Sequence, residues 1–182
     1  MLRLRRVSPF AAPAAVGLLL AGCSVFEPKP VRPPWREQAE NACLAQKKVR
    51  ASGFIRPAGE IDGPGICGLT KPFKVTALQN GEVAFNASST LDCPMIAALD
   101  EWLAQTVQPI AEARFGQRVA QINSMGAYSC RGLNGSSRGR LSEHAFGNAL
   151  DIGGFVLADG RSISIMRDWT RGDEQTQAFL RD

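Results

Sequence analysis

Residues 142–165 read SEHAFGNALDIGGFVLADGRSISI. The first ten form the pattern S-x-H-x-x-G-x-A-x-D, with His144 and Asp151 seven residues apart. Gly147 and Ala149, between them, are small enough for another backbone or a ligand to come close. A β-strand is expected at 149–157, a turn at Ala158-Asp159-Gly160 and a returning strand at 161–165. His144 in a loop and Asp151 at the start of a strand can then face one groove. One neutral imidazole and one carboxylate make up part of a catalytic zinc site, which takes three protein ligands and keeps a position open for water. Such a metal lowers the pKa of its water and polarises a carbonyl. His144 is the only histidine in the 182 residues, so a multi-histidine site cannot be built from them.

Upstream, residues 118–125 alternate enough for a strand, and residues 129–140 (SCRGLNGSSRGR) are a polar Gly- and Ser-rich loop. The segment from Asp92 to Phe115 places Ile96, Leu99, Leu103, Val107 and Ile110 on one helical face. Asp92 suits the N-cap, Pro94 suits the first turn, and Pro109 should kink or split the helix. Asn80-Gly81 between 73–78 and 82–85 is a hairpin signal. Residues 35–49 are rich in helix formers. Residues 51–66, with four glycines and two prolines, read as a loop. A last helix is expected over 173–182. Helices and antiparallel hairpins mix without a β-α-β rhythm, which gives an α+β class. Trp35, Trp102 and Trp169 are expected in the core or in helix packing.

At the other end, Arg3, Arg5 and Arg6 precede the apolar run 10–21 and then Leu20-Ala21-Gly22-Cys23. The run has the length of a signal-peptide core and is too short to span a bilayer stably. The order and spacing match a bacterial lipobox. Residues 1–22 are therefore expected to be a lipoprotein signal, with Cys23 lipidated. Residues 23–34 would form a stalk stiffened by Pro28, Pro30, Pro33 and Pro34, and 35–182 a single domain. Ser24 in place of Asp points to the outer membrane, facing the periplasm.

The formal charge of +4 shrinks once the three signal arginines are set aside, leaving 18 basic residues against 17 acidic. Only Arg131, Arg138 and Arg140 form a basic group, too few for a phosphate-binding surface, so nucleic acid is not an expected partner. No nucleotide, flavin or haem motif is present. In an oxidising compartment Cys43, Cys67, Cys93 and Cys130 should form two disulfides. Of the three possible pairings, chain-neighbour bridges Cys43–Cys67 and Cys93–Cys130 are expected, the first stapling loop 51–66 to the first helix.

The S-x-H-x-x-G-x-A-x-D motif and the segment 124–131 (SMGAYSCR) resemble the zinc D-Ala-D-Ala carboxypeptidase and Hedgehog-like group. With Cys67-Gly68, Leu91-Asp92-Cys93-Pro94, Tyr128-Ser129-Cys130-Arg131 and Gly139 through Ile152, the sequence from about 40 to 182 more closely resembles the bacterial extensin-like C-terminal domain family. The resemblance implies a DD-peptidase-like α+β fold, zinc held by His144 and Asp151, Arg131 contacting substrate, and Ser142 orienting the site. Arg131's fork suits a carboxylate better than lysine would. It implies action on, or binding to, peptidoglycan stem peptides. The related peptidases add a third ligand, a histidine, near the end of the domain, and a histidine or glutamate as base. No histidine follows Asp151, and Asp168, Asp173, Glu174 and Asp182 sit in no recognisable ligand setting. The expectation is therefore of a chain interrupted before that segment and inactive as it stands. The rival reading is a non-catalytic module that binds cell wall or an envelope protein.

Overall fold

The computed structural model describes residues 31–136 and 139–182. The expected signal peptide, the lipidated Cys23, the stalk up to residue 30 and Arg138 lie outside the described residues.

Pro34 occupies the first turn of helix α1 (Pro34–Ala45), where its missing N–H costs nothing. The helix stops short of the expected residue 49, because Lys47 turns into the left-handed region at φ 51°. The expected loop 51–66 holds two short strands, β1 (Ile55–Pro57) and β2 (Ile61–Asp62). Strand β2 pairs with β3 (Gly68–Leu69) as a small separate sheet. The Asn-Gly hairpin forms as expected, joining β4 (Phe73–Leu78) to β5 (Val83–Leu91) through a tight turn in which Gln79, Asn80 and Gly81 all have positive φ.

Asp92 caps the next helix by accepting from the Met95 N–H at 2.9 Å. Helix α2 (Cys93–Trp102), a π-helical turn (Leu103–Val107) and α3 (Gln108–Phe115) run on as one rod. Pro109 has no N–H to offer four residues back, and the wide turn just before it absorbs the mismatch. The rod therefore neither breaks nor separates at this proline. Gly116, at φ 63°, ends it with its N–H on the Glu112 carbonyl. The expected face is buried through Ile96, Leu99, Leu103 and Val107, with Ile110 partly buried.

Strand β6 (Val119–Gly126) then pairs parallel with β5, through Ala84 opposite Gln121 and Phe85 opposite Ile122. Strand β5, the rod and β6 form a single β-α-β unit, because the buried face of the rod must lie along the sheet it connects. The other neighbouring pairs of the sheet are antiparallel, so no β-α-β rhythm results. A second hairpin, β7 (Asp151–Leu157) and β8 (Ser162–Ser164), completes a six-stranded sheet in the order β1-β4-β5-β6-β7-β8. Helix α4 (Ile165–Arg171), which was not expected, begins where Ser164 accepts from the Arg167 N–H. Helix α5 (Glu174–Arg181) is capped by Asp173. Phe179 on α5 meets Phe155 edge-on at 5.5 Å. The architecture is mixed α+β, as expected. Among the described residues no helix is long and apolar enough to cross a membrane.

Two expectations need correction. Trp35, Trp102 and Trp169 are exposed rather than core residues, although Trp102 lies against Phe155. The disulfides are Cys43–Cys93 and Cys67–Cys130, not Cys43–Cys67 and Cys93–Cys130. Helix α1 packs on α2, which brings buried Cys43 to Cys93 at the head of the rod. The 51–66 segment leaves α1 to follow β4, so Cys67 meets the loop that carries Cys130.

Burial pushes the Asp92 carboxyl up to about 7, with the Glu40 carboxylate adding to the shift. A raised carboxyl costs stability once ionised. The cost is absent below about pH 4 and complete above about pH 7. Asparagine caps equally well and carries no charge. Asp92→Asn is therefore expected to stabilise the fold by roughly 2–4 kcal/mol at pH 8 and hardly at all at pH 4. Urea unfolding at both pH values checks this, and an equal gain at both would exclude the ionisation account.

Candidate functional site

The His144 segment is a single 3-10 turn (Glu143–Phe146) pinned on every side. Ser142 caps it, its hydroxyl accepting from the His144 N–H at 3.4 Å. Gly147 ends it in the left-handed region, and its carbonyl accepts the Asp92 N–H. The Ser129 N–H bonds the His144 carbonyl. Gly147 is needed for space as well as for its φ, since a Cβ there would sit 2.1 Å from Cδ2 of buried Leu69.

His144 is buried, and its Nδ1 lies 2.5 Å from the Ala127 carbonyl oxygen. A carbonyl only accepts, so Nδ1 carries the hydrogen and Nε2 is the working end. Nε2 lies 3.2 Å from Oδ1 of Asp151, the first residue of β7, which pairs with Gly126 of β6. Arg131 reaches Oδ2 of the same carboxylate at 3.6 Å. The sequence-expected set of Arg131, Ser142, His144 and Asp151 thus comes together, with Ser142 acting through the backbone of the turn. Nε2 and the Asp151 carboxylate thus face each other, with Arg131 on the far oxygen. The carbonyl behind Nδ1 is the partner that a metal-binding histidine ordinarily has.

The third ligand is missing from this arrangement. Among the described residues no group of three His, Cys, Asp or Glu side chains could hold a metal ion. Asp168 is taken by Arg167 and the Ser164 N–H, Asp173 caps α5, and Asp182 pairs with Arg114. These acids are engaged elsewhere in the fold. The residues present therefore fit part of a catalytic zinc site and not the whole of it.

Sequence reasoning missed Arg36. From α1 it forks onto Glu143 at 2.7 and 2.8 Å, with its guanidinium between the rings of Trp35 and Phe146. Arg32 stacks on Phe146 as well and donates to the Gly68 carbonyl. Arg32 and Arg36 therefore hold the start of α1 against the back of the His144 turn. No local pattern signals a contact 107 residues long. The Arg36 fork, helped by Asn148, holds the Glu143 carboxyl down at about 2. This stabilisation is fully present above about pH 4.5 and is lost as the pH falls towards 2. Solvent reaches Glu143, so it amounts to about 1 kcal/mol. In acid titrations of stability, Arg36→Gln is expected to flatten that part of the profile. An unchanged profile would show that the fork does not stabilise the fold.

Two openings flank the turn. A cleft of about 610 Å³ is lined by Trp35, Arg36, Ile66, Arg140, Leu141 and Phe146. It does not include His144 or Asp151. A second opening, about 370 Å³, lies between β5 and β6 and includes Gly126 and Ala127, the two residues that hold Asp151 and His144. Neither lining includes His144, Asp151 or Arg131; the second opening borders the centre through Gly126 and Ala127.

No match was found among curated proteins or among solved structures. The family model for the extensin-like protein C-terminus matches residues 41–182. That span takes in α1 from its middle, both disulfides, the whole sheet and the His144–Asp151–Arg131 centre, and the chain belongs to the extensin-like protein C-terminal family.

Proposed function

We propose that this chain is a cell-envelope lipoprotein whose domain recognises peptidoglycan stem peptides at a peptidase-like centre formed by Arg131, His144 and Asp151. The observation that carries the reading is the orientation of His144. Its Nδ1 is committed to the Ala127 carbonyl, and its Nε2 is presented with Asp151 beside an arginine. Cys23 and the proline-rich stalk would hold the domain at the outer membrane, facing the wall.

Stem peptides end in a carboxylate. Arg131 is only loosely paired with Asp151 and is partly exposed, so its fork can turn to that carboxylate at little cost. Asp151 and His144 then keep the centre polar and water-bearing beside the neighbouring amide. Zinc, where bound, would supply an activated water and a polarised carbonyl. Two donors hold such an ion weakly, and no hydrolytic step follows from them, so binding is the activity these residues support.

The test is binding of a diacetylated Lys-D-Ala-D-Ala peptide, with zinc content measured on the same samples. Arg131→Ala is expected to weaken binding about 10- to 100-fold, in line with loss of a charged hydrogen bond. Amidation of the peptide's C-terminus should do the same. Zinc should be well below one per chain and fall further in His144→Ala. Equal binding of the acid and the amide would sink the reading. Stoichiometric zinc lost in His144→Ala would instead restore a catalytic one.

A further inference from the structure

We propose that the opening between β5 and β6 is a main-chain subsite for an extended, uncharged peptide segment whose end points at Arg131. This rests on the reading of the centre as a peptide site and adds where the rest of the ligand lies and what it must be.

The sheet comes apart at this point. Pairing of β4 with β5 continues to Phe73–Leu91, and pairing of β6 with β7 continues to Gly126–Asp151. Between β5 and β6 the register pairs are only Ala84–Gln121 and Phe85–Ile122. Just beyond them the Asn86 side chain takes the place of a neighbouring strand. Its Oδ1 accepts from the Ser124 N–H at 2.7 Å, and its Nδ2 donates to the Ser124 carbonyl at 3.3 Å. The hydroxyls of Ser89 and Ser124, 3.2 Å apart, tie the two halves together there. The opening past this point measures about 370 Å³, within the usual range of ligand clefts, roughly 300–1,000 Å³.

The chemistry of the lining selects the ligand. The hydroxyl residues Ser88, Thr90 and Ser124 line the opening together with the apolar Ile61 and Met125 and with Tyr128, and no charged side chain does. Hydroxyls both donate and accept, so they match the alternating N–H and C=O groups of a main chain. Ala87, Gly126 and Ala127 at the walls let a backbone come close. A charged ligand finds no counter-ion inside. A sugar chain finds a single aromatic ring, Tyr128, whose hydroxyl is crowded against Gly63. Charge enters only at the end of the opening. There Gly126 lies beside the Asp151 carboxylate and the Ala127 carbonyl holds His144.

The experiment measures fluorescence anisotropy of a labelled diacetylated Lys-D-Ala-D-Ala peptide on the detergent-solubilised full chain. Ala87 and Ser88 are exposed and away from the centre, so Ala87→Trp and Ser88→Glu fill the opening without touching it. Both are expected to weaken binding at least 10-fold, while Ala87→Ser binds like the unaltered chain. Thermal midpoints equal to that of the unaltered chain confirm that each variant is folded. Ser88→Glu serves alone if Ala87→Trp fails to fold. Arg131→Ala is measured beside them. If only Arg131→Ala weakens binding, the subsite is overturned and the reading of the centre stands. If only the groove variants weaken it, the subsite stands and the reading of the centre falls. No binding by the unaltered chain at millimolar peptide overturns both.

Discussion

Removing the Cys43–Cys93 bridge by double alanine substitution is expected to lower stability by about 4 kcal/mol. The bridge closes a separation of 50 residues. The chain-entropy treatment of a loop of that size gives about 4 kcal/mol from the unfolded state alone. Both sulfurs are buried in the main core, so their loss also opens a small void where α1 meets the rod. The Cys67–Cys130 bridge closes 63 residues, and the same argument gives a similar figure, about 4 kcal/mol. Its effect should differ in kind, because Cys130 is exposed and sits next to Arg131. Removing it frees the loop that presents Arg131 and should weaken peptide binding while the core stays intact. Urea unfolding of each double variant, with and without reductant, measures the first effect. Peptide titration measures the second. Loss of binding on breaking Cys43–Cys93 in a still-folded chain, with none on breaking Cys67–Cys130, would reverse this assignment.

Gly147→Ala is expected to cost about 3 kcal/mol. The left-handed φ contributes about 1–2 kcal/mol, and the added methyl, driven to 2.1 Å from Leu69, contributes a further 1–3 kcal/mol as overpacking. The melting temperature should fall by about 6–12 °C for a domain of this size. Gly116→Ala is the matched control. Its φ is nearly the same, 63° against 65°, and nothing lies within 4 Å of its added Cβ. It should cost about 1 kcal/mol. Equal losses in the two variants would show that Leu69 yields and that the His144 turn is not seated against it. Because Gly147 closes the turn, its substitution should also displace His144 and lower peptide binding.

The site was legible where its chemistry is local. His144 and Asp151 could be paired from one ten-residue stretch, since a turn followed by a strand brings residues seven apart onto one edge. The orienting role expected of Ser142 came through resemblance, and the structure shows Ser142 as a cap on the turn. Arg131 was legible only through resemblance. Arg36 was not legible at all, because an arginine in a helix-forming stretch looks the same whether it meets solvent or a glutamate 107 residues away. The opening between β5 and β6 was equally hidden. Its Ser- and Thr-rich strand residues carry little of the apolar alternation that marks a half-buried strand, so β5 was expected to end at Phe85 and runs instead to Leu91. The Asp92 cap, the Asn80-Gly81 turn and the buried rod face all follow from rules that act within four or five residues, and all three appear.

The sequence by itself determined the local units: the buried helical face with its cap, the two hairpins, and the turn that brings histidine and aspartate together. Backbone sterics, capping and periodic burial act at short range and are written in neighbouring residues. Only the tertiary structure decided which cysteines join, that β5 and β6 run parallel, that the sheet parts beyond Phe85, and that α1 holds the His144 turn through Arg36. Each of these depends on which apolar faces are buried together. Burial is non-directional and indifferent to separation along the chain, so partners far apart in sequence are selected by packing and not by any local pattern.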